Sequence, residues 1–197
     1  MLAFVKILAV PTRQDLDALL PDPDVRTRHR RSAAAGSDEL WAAAQTVRLD
    51  DTRTIGRLVR WRSPGVPESQ SFAGLLAHDP FTVLAAGERW SISGLCGRIW
   101  TLARDYPHIE TAQQFREFDE PRSVRVLFAH WVQDDGDGHS TLFSEARVAP
   151  TDRVAAMRLR ALWAVVGPFE RLIGAEPLAL AVARAEARDV RIRPEPA

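Results

Sequence analysis

The sequence predicts an α+β fold in which a curved antiparallel sheet wraps round a long C-terminal helix. Three patterns carry that expectation. "SVRVLFAHWVQ" and "STLFSEARVAP" both alternate apolar and polar residues, and they flank the loop "DDGDG". Aspartate and glycine take the positive backbone dihedrals of a hairpin turn, so the two segments pair as antiparallel strands. From Thr151 to about Ala187, Val154, Met157, Leu162, Val165, Phe169 and Ile173 recur near the helical period. Two short helical segments lie between an early strand and the later ones. Strand, two short helices, a run of antiparallel strands and one long helix is the order of a helix-grip arrangement.

Residues 1–24 form an N-terminal arm, where "TRQDLDALLPDPD" predicts a short helix ended by Pro21 and Pro23. "VRTRHRRSAA" predicts a strand with Arg26, Arg28 and Arg30 on one face. Arginines at period two can touch phosphates, although a solvated strand face is the plainer reading in a chain without net charge. "GSDELWAAAQTV" starts a helix. Ser37 or Gly36 caps it, and Asp38 and Glu39 sit where the helix dipole favours negative charge. "DTRTIGRLVRW" is the next helix, with Asp51 or Thr52 as cap. "RSPGVPE" is a loop and "QSFAGLLAH" a further helical piece.

"FTVLAAGERWSISGLCGRIW" reads as two strands joined at Ala86-Gly87-Glu88. On the second, Trp90, Ile92, Gly94, Cys96, Arg98 and Trp100 share a face. The small Gly94 and Cys96 either open a cavity there or let a helix pack closely. "TLARDYPHIETAQQFREFDEPR" is a long connection with a helix in its second half. Gly167-Pro168 should kink or break the C-terminal helix, and "RIRPEPA" reads as a loose tail.

The 197 residues carry 26 basic and 26 acidic side chains, a formal net charge of zero. That argues against a dedicated nucleic-acid binder. Lys6 is the only lysine, which reads as coding bias in a GC-rich bacterium. Cys96 is the only cysteine, so neither an internal disulfide nor a cysteine-based zinc site is available, and a reducing cytoplasm is the simplest home. No apolar run approaches the roughly 20 residues of a membrane span. No phosphate-binding loop, dinucleotide fingerprint, HExxH or GxSxG motif is present.

The "DDGDG" loop invites a test for calcium. With Gly138 as the glycine of an EF-hand loop, Gln133 falls where an acidic residue is required. Ser144 falls where a bidentate glutamate is required, and Glu145 comes one residue late. The flanks alternate like strands. The loop is therefore read as a turn, with neither metal nor cofactor expected; His130 and His139 lack a third ligand.

"AAAGSDELWAAA", "GLCGRIW", "FREFDEP", "TLFSEARV" and "RLRALWAVVGPFERLIG" together resemble segments of START-like proteins of the SRPBCC superfamily, the polyketide cyclase and lipid-transfer group, in a bacterial branch. The resemblance covers roughly residues 25–188, between the arm at 1–24 and a tail at 189–197. It implies a deep, mostly apolar cavity between sheet and long helix that takes lipids, polyketides or similar molecules. It carries over no catalytic residue.

Candidate cavity residues follow from the strand patterns. Arg98, on an otherwise apolar face, can bind a carboxylate or carbonyl, or form an ion pair at the strand end. Trp90, Trp100 and Trp131 can stack on a flat ligand or fill core. His130 alternates with Val126, Phe128 and Val132, and is either a wall residue or, with a near-neutral pKa, a general base. A Cys96–His130 nucleophile pair is conceivable. Glu145 and Arg147 share a face with Phe143, opposite Leu142, Ser144, Ala146 and Val148. Ordinary patterning turns the small face inward and leaves the pair in solvent; the alternative turns the pair inward to orient ligand or hold Arg98. The expected partner is an apolar small molecule, with a cyclase- or dehydratase-type enzyme and a protein-interaction module with a filled cavity as alternatives.

Overall fold

The computed structural model describes residues 10–62, 65–101, 106–167 and 170–192. Its elements in chain order are α1 (Arg13–Leu19), β1 (Val25–Ala33), α2 (Ser37–Gln45), a 3₁₀ turn (Leu49–Asp51), α3 (Ile55–Arg62) and α4 (Phe72–Ala77). There follow β2 (Thr82–Gly87), β3 (Trp90–Gly97), α5 (Ala112–Glu117), β4 (Val124–Gly136), β5 (His139–Pro150), α6 (Arg153–Val166) and α7 (Glu170–Ile192).

The strands form one five-stranded antiparallel sheet in the order β1-β5-β4-β3-β2. The β4–β5 hairpin is the "DDGDG" turn. Gly136, Asp137 and Gly138 all have positive φ, and the register shifts between Asp134 and Gly136. This is turn chemistry, and the aspartates make local bonds, with Asp134 Oδ1 accepting from the Gly136 amide at 2.9 Å. Among the described residues no group of three or more His, Cys, Asp or Glu is placed to hold a metal. Nor is any helix among them long and apolar enough to cross a membrane.

Helices cover both faces of the sheet. On the outer face, Leu16, Leu19 and Leu20 of the arm and Phe115 of α5 pack on Trp90, Ile92 and Cys96 of β3, Leu127, Ala129 and Trp131 of β4, and Phe143 of β5. Thr12 caps α1 in a reciprocal box with Asp15, which suits so short a helix. The inner face is closed at both ends. At one end, Leu40 and Ala43 of α2 and Leu178, Ala181 and Ala185 of α7 bury Val132 and Leu142. At the other, Leu159 of α6 packs on Leu95, Val124, Val126 and Val148. α7 runs along β1 and β5 and against α2, which makes this the helix-grip arrangement that the order of elements predicted.

Three details differ from the expectation. The C-terminal helix, expected to be one long helix kinked or broken at Gly167-Pro168, is two, α6 ending at Val166 and α7 starting at Glu170. α7 reaches Ile192, so residues 189–192 of the expected tail are helical. The buried side of α6 is also one residue round from the expected stripe. Ala155 and Leu159 are buried, whereas Val154, Met157 and Val165 are exposed. Apolar residues on both sides of α6 make either stripe fit the helical period. The side chains of Phe169 and Ile173 lie outside the described residues.

Candidate functional site

Between the two closed ends, the inner face of the sheet and the helices above it enclose a cavity of about 530 Å³. Its floor follows from register. On β1, β5 and β4, the residues alternating with the outer-face set point inward: Val25, Thr27 and His29; Leu142, Ser144, Ala146 and Val148; Val126, Phe128 and His130. Ser91, Leu95 and Ile99 continue the floor along β3 and just past it. Above lie Trp41 of α2, Ile55 and Val59 of α3, Phe72 and Leu76 of α4, Trp163 of α6 and Pro177 of α7. Phe81 meets Phe128 edge to face, with centroids 5.8 Å apart, and makes an aromatic corner.

The roof is fixed by charge. The Glu176 carboxylate of α7 accepts the amides of Arg53, Thr54 and Ile55 at 2.6, 3.1 and 3.3 Å, so it caps the start of α3. Arg184 of α7 pairs with Asp51 at 2.7 Å and donates to the Thr46 carbonyl at 2.8 Å. These bonds tie the start of α3 and the end of α2 to α7.

Four of the floor's polar groups fall in one line, with Thr27 one level away. His29 pairs with Ser144, Ser144 with His130, and His130 with Ser91, so four strands place these side chains at a single level across the sheet. His29 lies against α7 at Gly174. A Cβ at Gly174 would clash with the His29 ring, so glycine lets α7 and the ring approach this closely. His130 has no hydrogen-bond partner among the described residues. Burial alone pushes its pKa down to about 4, so the imidazole is neutral at physiological pH.

Of the candidate cavity residues, Phe128 and His130 are in the lining. Five of the expected cavity residues lie elsewhere. Trp90 is on the outer face beneath the arm. The space at Gly94 is filled, since a Cβ there would meet Phe115 and Leu84 at 2.7 and 2.8 Å. Arg98 is exposed beyond the end of β3. Trp100 belongs to the cluster under α6, with Arg158 over its ring at 5.8 Å. Cys96 and His130 face opposite sides of the sheet, and burial raises the thiol to about 12, so they make no nucleophile pair.

Glu145 and Arg147 met neither expected fate. They face outward, as patterning predicted, but are 1% and 0% exposed because the arm covers them. Arg147 Nε donates to Glu145 Oε1 at 2.7 Å, and Nη1 donates to Asp17 at 2.5 Å and to the Leu20 carbonyl at 3.3 Å. Arg26 completes the cluster with bonds of 2.9 and 3.3 Å to Glu145. Arg28 lies 3.9 Å from Glu145, and its guanidinium sits over the stacked rings of Trp131 and Phe143. The hydrogen bond from Arg147 holds the Asp17 carboxyl below its ordinary pKa. Two of the four β1 arginines, Arg26 and Arg28, therefore brace Glu145 within the sheet, and Arg147 fastens the sheet to the arm.

No family model matches the chain, and no curated protein matches it. Solved structures do. An aromatase/cyclase from Streptomyces sp. R1128 is 15% identical, covering 86% of this chain and 96% of its own, at a TM-score of 0.35. A truncated norcoclaurine synthase from Thalictrum flavum is 14% identical, covering 86% and 95%, at 0.37. A hypothetical protein from Helicobacter pylori is 8% identical, covering 93% and 99%, at 0.41. Likeness at this level carries no inference about activity.

His29, Ser91, Ser144, Trp41 and Trp163 are cavity residues that the sequence reading did not single out. A signal for His29 existed, since it alternates with Val25 and Thr27 as His130 does with Val126 and Phe128. The arginines between them give β1 a strongly polar second face, which masks this weaker pattern.

Proposed function

We propose that the chain is a binding protein for an apolar small molecule, held between the inner face of the sheet and α2, α3, α4, α6 and α7. The observation that supports this is the open cavity of about 530 Å³, a size typical of small-ligand sites. Protein interiors otherwise close-pack, and an apolar void forfeits contacts along its whole wall. A protein-interaction module with a filled cavity is less well supported, because the space is open.

Turnover of a polyketide-like or carbonyl substrate in the same cavity is the second reading. His130 supports it as a perturbed group facing the cavity. Its pKa of about 4 makes it a weak base, and Arg98 and Glu145 lie away from the space where they would be needed. These points weigh toward binding.

The test is native mass spectrometry of the protein as purified, against denaturing conditions, with titration of the neutral fluorophore N-phenylnaphthylamine. A retained apolar molecule, or saturable brightening of the probe, is expected. Ala146→Phe, which projects a ring into the cavity from β5, should weaken probe binding at least about tenfold. A clean apo mass together with no brightening rejects the reading.

A further inference from the structure

The chemistry of the cavity floor narrows what can bind, given that the cavity binds a small molecule at all. No Asp, Glu, Arg or Lys is among the described residues that line it. A carboxylate or ammonium entering would lose its water and meet no counter-charge. Apart from Thr27, Gln45 and the line His29–Ser144–His130–Ser91, the lining is aliphatic or aromatic. The line crosses the sheet at one level, with neighbouring strands about 4.8 Å apart, so its groups face one edge of a bound molecule rather than its surface. Thr27, Ala146 and Phe128 fill the next level toward α6, with Ser93 of β3 in register with Phe128 but outside the lining, and a wholly apolar row of Val25, Val148, Val126 and Leu95 follows. Leu142 lies one level past the line on the other side, so the polar groups sit toward that end and the longer stretch of hydrocarbon toward α6, which gives the cavity a direction. Phe81, Phe128, Trp41 and Trp163 bring aromatic rings to the lining, where a flat body can pack.

We propose that the ligand is an uncharged, flat molecule bearing a hydroxyl or carbonyl group at one edge, and that His130 with Ser144 and Ser91 reads that edge. A neutral imidazole and serine hydroxyls each donate and accept, so either group is served. An analogue without the polar group leaves buried hydrogen-bonding groups unpaired, and that difference sets the selectivity.

The experiment compares naphthol, naphthalene and naphthoate near neutral pH, by quenching of tryptophan fluorescence, in the wild-type chain, His130→Leu and Ser144→Ala. Naphthol should bind at least about tenfold tighter than naphthalene, and naphthoate at least about tenfold weaker than naphthol. His130→Leu should bring naphthol and naphthalene within about threefold while naphthalene still binds. Ser144→Ala, a smaller change that spares the fold, should reduce the preference in part. Naphthoate binding as well as naphthol overturns the proposal. So does a naphthol preference unchanged in both variants, and so does the whole series failing while N-phenylnaphthylamine still binds. Failure of N-phenylnaphthylamine as well rejects the cavity as a ligand site, a different result.

Discussion

Glu145→Gln tests the reading of the covered outer face. The change keeps shape and removes one charge, leaving Arg147, which is 0% exposed, without its one buried counter-charge among the described residues. Arg147 would retain Asp17, whose side chain is 44% exposed and screened by solvent, and the Leu20 carbonyl. Breaking a buried pair by removing one partner costs about 3–5 kcal/mol, and the surviving Asp17 contact places this case near the lower end, at about 3 kcal/mol. For a chain of this length that lowers Tm by roughly 6–12 °C. Arg147→Met should cost less, because Glu145 keeps two bonds from Arg26. The double variant Glu145→Leu with Arg147→Met should recover most of the loss, since apolar groups can replace a buried pair. Urea unfolding followed by tryptophan fluorescence measures all three, provided the slope against urea is unchanged. A loss under about 1 kcal/mol for Glu145→Gln, or a double variant less stable than that single change, would refute the reasoning.

Three further outcomes are expected. The folded chain resists protonating His130 down to about pH 4, whereas the unfolded chain takes up that proton near 6.5; stability is therefore full above 6.5 and falls toward 4. The loss is on the order of 3 kcal/mol, and His130→Leu should flatten that part of the pH–stability curve. Asp17 is the opposite case, a carboxyl lowered from 3.8, so its contribution is present above 3.8 and lost as pH falls through the lowered value. Amide exchange in α1 should speed up in that window, and Asp17→Asn should exchange fast at every pH; matching profiles would contradict the pinning. Gly174→Ala should gain about 1 kcal/mol in helix propensity yet lower Tm, because its methyl meets the His29 ring. In a His29→Ala background the same change should raise Tm, and a loss there would show the contact to be misplaced.

The hairpin, the strand alternation and the helical C-terminal third were legible because each is a local pattern with a local cause. Which face of β3 fronts the cavity was not. Trp90, Ile92 and Cys96 look like a pocket wall only until the arm and α5 are known to cover that side. A strand buried on both faces gives no polar side by which to orient it. For Glu145 and Arg147 the alternation left both directions open, and even outward did not mean wet, since a helix more than a hundred residues earlier lies over them. The line of cavity hydroxyls and imidazoles was invisible for a related reason. His29, Ser91, His130 and Ser144 come from four strands, and only the register makes them neighbours.

β5 has an uncommon double duty. Ser144 and Ala146 face the cavity, while Glu145 and Arg147, between and beside them, anchor the arm. Any backbone shift that admitted a bulkier wall residue would also disturb the ionic anchor. A lineage or a laboratory seeking a new ligand scope thus has little freedom on this strand. Ile55 and Val59 of α3 and Phe72 and Leu76 of α4 face the same space without sitting beside a buried charge cluster. Variation that retunes the pocket should accumulate in those two short helices, with the floor inherited nearly unchanged.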